Sequence, residues 1–559
     1  LGIVTGTSSS SAVDILQIEE IGDGERFVVT KLRQEEGSKK PRRYYRINGT
    51  NGPDWDIPNN DIESLKHAIL ERVFFVKDGK GGYKRCPKPW DHPSVAFYDD
   101  PVEAAREKIA SRVHNFRCGL EQQAIAVGKV SPISDEEFLA FYGGAKRRCY
   151  EAAIESFLGR PLDERDCWVK VFTKDEYRKP GGAPRAIQPR SPRYNVKLGR
   201  YLKHIEHTIF CSIDKVFDPT GEHRTVAKGM NTIERGNAIA SMWGRFANPV
   251  AVGLDASRFD QHINRLLLEY EHSIYHMFVE GEGTDLPSLA ELLSHQLVNK
   301  GVYHGKDGKI KYTVHGCRMS GDMNTSLGNV IIMCTLMYAY FEHKGMLDRV
   351  LLLNDGDDCV IIMDEKDLTQ FRNGLQDWFL EMGLTMEYDG VYTELETVEF
   401  CQSRPVKHAE HGYHLVPRPS KRLYSDLIST KQLSSKKVYE KQIGAIAGCG
   451  LALSGGLPVY QSFYRWLGRG ATPWVPGQGD YYYKYRQELI DRMSTKQREP
   501  TDEERASFYL AFGIPPDHQL TLEKYYDSLP DPVFSRGVMD PLRTLDTIQH
   551  LCPPEQKDR

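Results

Sequence analysis

Apolar residues over positions 135–160 recur at helical spacing, and Gly143 and Gly144 interrupt them. This predicts two helices meeting at a turn, with Ser134 or Asp135 capping the first. From 167 the pattern gives way to a basic, turn-rich stretch. Between 248 and 410, short apolar runs of strand type alternate with longer helical patterns, which predicts a mixed α+β layer. The longest apolar run, 330–341 (VIIMCTLMYAYF), is broken by Thr335 and two tyrosines. It falls short of the ~18 residues of a membrane span and predicts a buried helix. After about 410 the pattern is helical and aromatic, with glycine and proline breaks at 448–458 and 469–479, then a charged segment from 490 and a proline-rich tail. Residues 1–60 are polar and turn-rich, with a serine run at 8–11 and a basic cluster of Lys39, Lys40, Arg42 and Arg43. A solvated surface is the default for that cluster. No internal repeat is visible.

Composition narrows the class. The 559 residues are 40% hydrophobic and 27% charged, unlike a disordered chain, and suffice for several domains or for one large enzyme of interlocking subdomains. A net charge of −4 argues against a nucleic-acid partner only if charge is spread evenly, and here it is not. The 11 cysteines are scattered, with no CxxC pair, so reduced thiols are expected rather than a zinc or disulfide framework. The first methionine is Met230, so the chain is expected to be trimmed or the downstream part of a longer product, with any targeting or membrane segment upstream.

Two acidic segments carry the candidate chemistry. In 252–260 (VGLDASRFD) an apolar run ends in Asp255, and Asp260 follows five residues later. An acid at a strand end is common, so this alone says little. In 350–363 (VLLLNDGDDCVIIM) two strand-type runs flank Asp-Gly, a strong hairpin signal. A plain hairpin gains nothing from Asp355, Asp357 and Asp358 crowded at its tip, because like charges so close repel unless a cation lies between them. Oxygen ligands without His or Cys point to Mg²⁺ or Mn²⁺, and two such ions would serve an in-line phosphoryl displacement. A calcium loop is the competitor, but the EF-hand ligand pattern is absent. Between the two segments, 318–329 (RMSGDMNTSLGN) reads as a polar loop feeding the apolar helix, with more hydrogen-bonding residues than a helix cap uses.

GLDASRFDQH, SGDMNTSLGN and NDGDDCVI, in that order and at those separations, resemble the three palm motifs of positive-strand RNA virus polymerases. The likeness is closest to the tombusvirus-like family of plant viruses, umbraviruses included. It extends to the basic stretch 167–203, to TVAKGMN at 225–231, to EFCQSRPV at 399–406 and more loosely to 137–153. It implies an α+β right-hand fold with fingers, a palm carrying an antiparallel sheet, and a helical thumb. The expected division is an N-terminal extension and fingers at 1–245, palm at 246–270, a fingers insertion at 271–309, palm at 310–410, and thumb and tail at 411–559. The implied activity is template-directed RNA synthesis from NTPs by an RNA-directed RNA polymerase, with two Mg²⁺ or Mn²⁺ ions.

The resemblance also implies roles. Asp255 and Asp357 would be catalytic and hold both metals, with Asp358 as an auxiliary ligand. Asp260, Ser320 and Asn329, with Thr325 nearby, would recognise the ribose of the incoming nucleotide. Arg185, with Lys174 or Lys179, would bind the triphosphate, and Glu176 would orient one of those bases. Lys170, Arg190, Lys228 and Arg418 would contact RNA, with Lys421 and Arg422 further thumb candidates. The prolines and glycines at 180–184 predict that the basic stretch is an extended, turning loop. The family is often credited with a lysine general acid after the metal hairpin. Residues 382–389 (MGLTMEYD) hold none, and Lys366 and Lys407 flank without matching, so that role stays unassigned. The implied partners are RNA template and product, NTPs, and an upstream or separate viral replication protein at membrane-associated complexes in the host cytoplasm. A reverse transcriptase is disfavoured because Asp260 stands where such enzymes carry a bulky aromatic. A non-catalytic viral RNA-binding protein with a structural metal is the rival from another class.

Overall fold

The apolar run ending at Asp255 becomes the middle of a four-stranded antiparallel sheet. In the computed structural model, which describes residues 13–22, 24–32, 42–43, 45–46, 56–176, 178, 181–281, 286–429, 435–473 and 494–532, the strand Pro249–Ala256 pairs with Asp358–Asp364 on one side and Met386–Tyr392 on the other. Val350–Asn354 adds the fourth strand beyond Asp358–Asp364. Alternate residues face two different cores. Val250, Val252, Leu254, Ile361 and Met363 point into one, and Ala251, Leu353, Val360 and Ile362 into another. Strands buried on both faces need continuous apolar runs, which is why 249–254, 350–354 and 359–363 show no alternation. Each buried Val, Leu or Ile contributes roughly 1.5–3 kcal/mol.

The helix Thr325–His343 lies on the first face, contributing Ile332, Met333 and Leu336 to its core. Its opposite side, with Val330, Ile331 and Cys334, packs among Phe116, Leu198 and Ile209 of the helices Pro101–Val127, Pro192–Leu202 and Glu206–Phe217. A helix buried all round explains the 330–341 run. No described helix is long and apolar enough to cross a membrane. The two helices expected near 140 are Asp135–Ala140 and Gly144–Glu155, the first capped by Ser134.

A second sheet corrects the polar, turn-rich reading of the N-terminal region. Val13–Gly22, Glu25–Leu32, Gly308–His315 and Val298–Gly305 run antiparallel in that order, and Val169–Lys170 joins in parallel at the edge. Phe27 and Val29 are buried at a spacing of two, the period of a strand. Lys39 and Lys40 of the basic cluster lie outside the described residues. The backbone of Arg42–Arg43 pairs with Asp56–Ile57.

The C-terminal part packs the hairpin Ser403–His408/Gly412–Pro417 and the helices Lys436–Ser454, Tyr460–Leu467, Asp502–Phe512 and Pro516–Ser528 around Tyr439, Phe463, Trp466, Phe508 and Tyr526. Within the break expected over 448–458, the helix runs on to Ser454 and ends at Gly455. Gly450 is there for packing: a Cβ would lie 2.3 Å from the Tyr464 ring. Glu504 locks this region. Burial alone would raise its carboxyl, but Arg498 and the Thr501 and Ala409 amides hold it down to about 2. A depressed acid stabilises the fold above its unfolded value and loses that contribution as pH falls from about 4.5 to about 2. Glu504→Gln should therefore lower the thermal midpoint at pH 7, and the gap from the parent should narrow in melts taken below about pH 4.

Candidate active site

Register brings the acids together. In the central pair of strands Asp255 stands directly opposite Asp358, so their Cα atoms are within about 5.5 Å, and Asp357 is next along the turn. The turn is built to present them. The Asp355 amide donates to the Asp358 carbonyl at 3.0 Å, and Gly356 sits at φ +95°, which only glycine adopts without strain. Buried Asn354 accepts from the Gly356 amide at 3.0 Å and donates to the Gly356 carbonyl at 2.7 Å. Asp255, Asp357 and Asp358 face solvent. Partial dehydration and the carboxylates of Asp357, Asp355 and Asp255 push the Asp358 carboxyl up to about 6. A divalent cation among these oxygens would relieve that repulsion, and an all-carboxylate donor set suits Mg²⁺ or Mn²⁺.

Beside Asp357 opens a cavity of about 290 Å³. Arg72, Lys174, Arg185 and Arg258 line it together with Asp260, Ser320 and Asp357. Burial, then Arg258 and Arg185, pushes the Arg72 guanidinium below its ordinary value, and its Nε has no partner. Cations that repel one another around a hollow make a receptor for a polyanion. Glu176 bonds Arg185 at 2.6 Å and lies 3.1 Å from Lys174, so it orients both. Arg258 is held at φ +48°, uncommon for a side chain of this size. A larger cavity, about 560 Å³, lies across Arg258 and is lined by Lys77, Lys84 and Lys88, but none of the hairpin acids reaches it.

The floor of the smaller cavity is a buried hydrogen-bonded chain. Asn329 Nδ2 donates to Asp260 Oδ1 at 3.0 Å, and Arg318 Nε donates to Asn329 Oδ1 at 3.0 Å. Arg318 is paired with Glu271, both fully buried, and Asn324 donates to Glu271 at 3.0 Å. Burial raises the Asp260 carboxyl, with Asn329 and Arg318 pulling against it.

Against this geometry stand the relatives. A family model described as viral RNA-dependent RNA polymerase matches residues 29–530. The chain belongs to that family. It is 39% identical over 509 residues to the RNA-directed RNA polymerase of oat chlorotic stunt virus, covering 88% of this chain and 65% of that protein. It is 39% identical to that of tobacco necrosis virus strain A, covering 88% and 64%, and 36% identical to that of turnip crinkle virus, covering 88% and 60%. The chain thus spans a little under two thirds of the length of these relatives.

The expected site residues fall in different places, and those the structure buries need correction. Arg190, expected on RNA, is 3% exposed; it pairs with Asp322 at 2.7 Å and donates to the Cys167 carbonyl, tying the 318–329 loop to the 167–190 segment. The extended loop expected through 203 ends at Ser191, and Pro192–Leu202 is a buried helix. Its basic residues are spent internally. Arg193 holds Asp166 at 3.0 Å, Lys197 lies 4.3 Å over the Phe157 ring, and Arg200 lies 3.4 Å from Asp135. Lys228, partly exposed, ion-pairs with Asp355 at 2.7 Å. Arg418 pairs with Glu399, and the Thr325 hydroxyl donates to the Met319 and Asp322 carbonyls, shaping the loop. Ser320 donates to the Ala186 carbonyl at 3.0 Å from the cavity wall. Lys170 is exposed on an edge strand, away from the cavity. Lys179 lies outside the described residues.

Sequence reasoning missed Arg72 and Arg258. Arg258 stands between Asp255 and Asp260 and was open to notice; Arg72, far upstream, carries no local signal. A second ligand-rich cluster lies at the 403–417 hairpin, where His408, Glu410 and His411 bring ligand atoms within 4.8 Å. Its two imidazole rings lie nearly parallel to that of His414, with interplanar angles of 1° to 18° among the three.

Proposed function

We propose that the chain is the catalytic part of an RNA-directed RNA polymerase, joining NTPs to RNA on an RNA template by a two-metal mechanism. The observation that carries this is the pairing of Asp255 with Asp358, beside Asp357, at the mouth of a cation-lined cavity. In this reading Asp255 and Asp357 hold both Mg²⁺ or Mn²⁺ ions with Asp358 as auxiliary. When bound, those ions activate the attacking 3′-hydroxyl and stabilise the leaving oxygen. Arg185, Lys174, Arg72 and Arg258 receive the triphosphate, and Arg185 can engage it bidentately once it exchanges Glu176 for phosphate. Asp260 and Ser320 face the ribose, and Asn329 holds Asp260 in place from behind.

The right-hand division follows the same reading. The four-stranded sheet is the palm, the second sheet with the 101–217 helices the fingers, and the C-terminal helical unit the thumb. Their separate cores support it. The partners are RNA template and product, with an upstream or separate viral protein supplying recruitment to host membranes. The test is purified chain with an RNA template, NTPs and Mg²⁺ or Mn²⁺. Template-dependent product should appear, and EDTA should abolish it. Absence of product with either ion across several templates would refute the reading.

A further inference from the structure

The metal hairpin carries one acid more than the reaction uses. Asp355 lies in the same turn as Asp357 and Asp358, yet both its oxygens are engaged elsewhere. Lys228 Nζ is 2.7 Å from Oδ1 and 3.2 Å from the Asp355 carbonyl, and Arg235 Nη1 is 2.8 Å from Oδ2. Cys401 Sγ approaches Oδ2 at 3.4 Å.

These groups come from three segments that enclose the turn. Val226 forms a parallel bridge with Asn354, and the Ala227 amide donates to the Asn354 carbonyl at 2.8 Å, so segment 225–228 runs alongside the hairpin. Arg235 ties that segment in turn, donating to the Met230 carbonyl at 3.2 Å and the Ala227 carbonyl at 3.3 Å. Its guanidinium lies 5.9 Å over the Phe400 ring. On the third side Cys401 and Gln402 hold φ of +50° and +60°, two successive side-chain-bearing residues in the left-handed region. Such strain persists only where the surroundings impose it.

We infer that Lys228, Arg235 and Cys401 form a clamp that withholds Asp355 from the metal-binding carboxylates, so that Lys228 and Arg235 are positioning residues which set the charge of the metal site. A further carboxylate turned toward the same ions would tighten cation binding at the expense of a fixed geometry. With Asp355 neutralised by two cations, Asp255, Asp357 and Asp358 are left to define the site. Asp355 also gives the clamp its handle on the turn. The inference rests on the polymerase reading for its functional meaning, but its physical content concerns cation binding alone.

The test is calorimetric titration of Mn²⁺ into the parent, Lys228→Gln, Arg235→Gln, and each of these combined with Asp355→Asn. Removing a clamp cation frees a carboxylate beside the site, so Mn²⁺ should bind about 10-fold more tightly, while turnover with Mg²⁺ falls about 10- to 100-fold. Adding Asp355→Asn should reverse the tightening and recover most of the turnover. A merely structural role predicts the opposite sign, because a disordered turn binds metal more weakly. Unchanged or weaker Mn²⁺ binding in the single variants, or tightening that Asp355→Asn leaves in place, overturns the clamp. If Arg235→Gln fails to fold by circular dichroism, Lys228→Gln, whose side chain is 27% exposed, decides the matter. A parent chain that makes no RNA refutes the polymerase reading, and the sign of the Mn²⁺ shift still judges the clamp.

Discussion

Asp255→Asn or Asp357→Asn is expected to reduce nucleotide incorporation by about 10³-fold or more while binding to RNA survives. Asparagine keeps the shape and the hydrogen-bonding oxygen but loses the charge that holds a divalent ion. The strand environment makes the substitution a fair test of chemistry. Both side chains are at solvent, and the flanking Leu254, Cys359 and Val360 keep the sheet packed whichever residue occupies the tip. Removing one acid also lessens the repulsion that raises Asp358, so the variants should be no less stable than the parent without metal. Retained synthesis in either variant, measured against a filter-binding control for RNA, would mean that the acids serve assembly or stability instead. That outcome would favour the structural-metal rival, which needs no particular acid for turnover.

The sequence exposed these acids because their cost is local. Three carboxylates at the tip of an Asp-Gly hairpin conflict with one another within five residues, and nothing outside that stretch is needed to see it. The buried helix at 325–343 and the two-faced sheet were legible for a similar reason, since continuous apolar runs admit few alternatives. The basic residues were misread because charge in a sequence carries no direction. Arg190 and Arg193 look identical to Arg185 along the chain, yet their partners Asp322 and Asp166 lie 132 and 27 residues away. A buried arginine is stable only when its donors are satisfied, and that satisfaction comes from tertiary contacts no local pattern encodes. The N-terminal hairpin was hidden differently. Its strands mix apolar with charged residues without strict alternation, and their partner at 308–315 lies nearly three hundred residues downstream. Lys228 combines both problems: its motif was visible, but its target, Asp355, is a long-range contact.

Asp260→Ala or Asn329→Ala should weaken discrimination between NTP and dNTP by about 10- to 100-fold, measured as the ratio of kcat/KM for matched nucleotides. A pocket rejects a substrate lacking a hydroxyl when its own buried polar groups would be left unpaired. Asp260 meets that condition on the cavity wall, and Asn329, held between Asp260 and Arg318, acts by positioning it. Asn329 is 8% exposed, and its amide nitrogen and oxygen are spoken for by Asp260 and Arg318. Arg318 in turn is fixed by Glu271 with no exposure to solvent. The chain from Glu271 through Arg318 and Asn329 therefore holds Asp260 at one position on the cavity wall, within the electrostatic reach of Asp357. Rigid placement is what converts a hydrogen bond into selectivity, because a mobile carboxylate would adapt to either sugar. The effect should fall mainly on the ribonucleotide, lowering its kcat/KM while that for the deoxynucleotide changes little. Ser320→Ala should have a smaller effect, since its hydroxyl is already committed to the Ala186 carbonyl. Equal losses for both sugars would assign Asp260 to triphosphate or metal geometry instead, and unchanged selectivity in both variants would remove the ribose contact from the reading altogether.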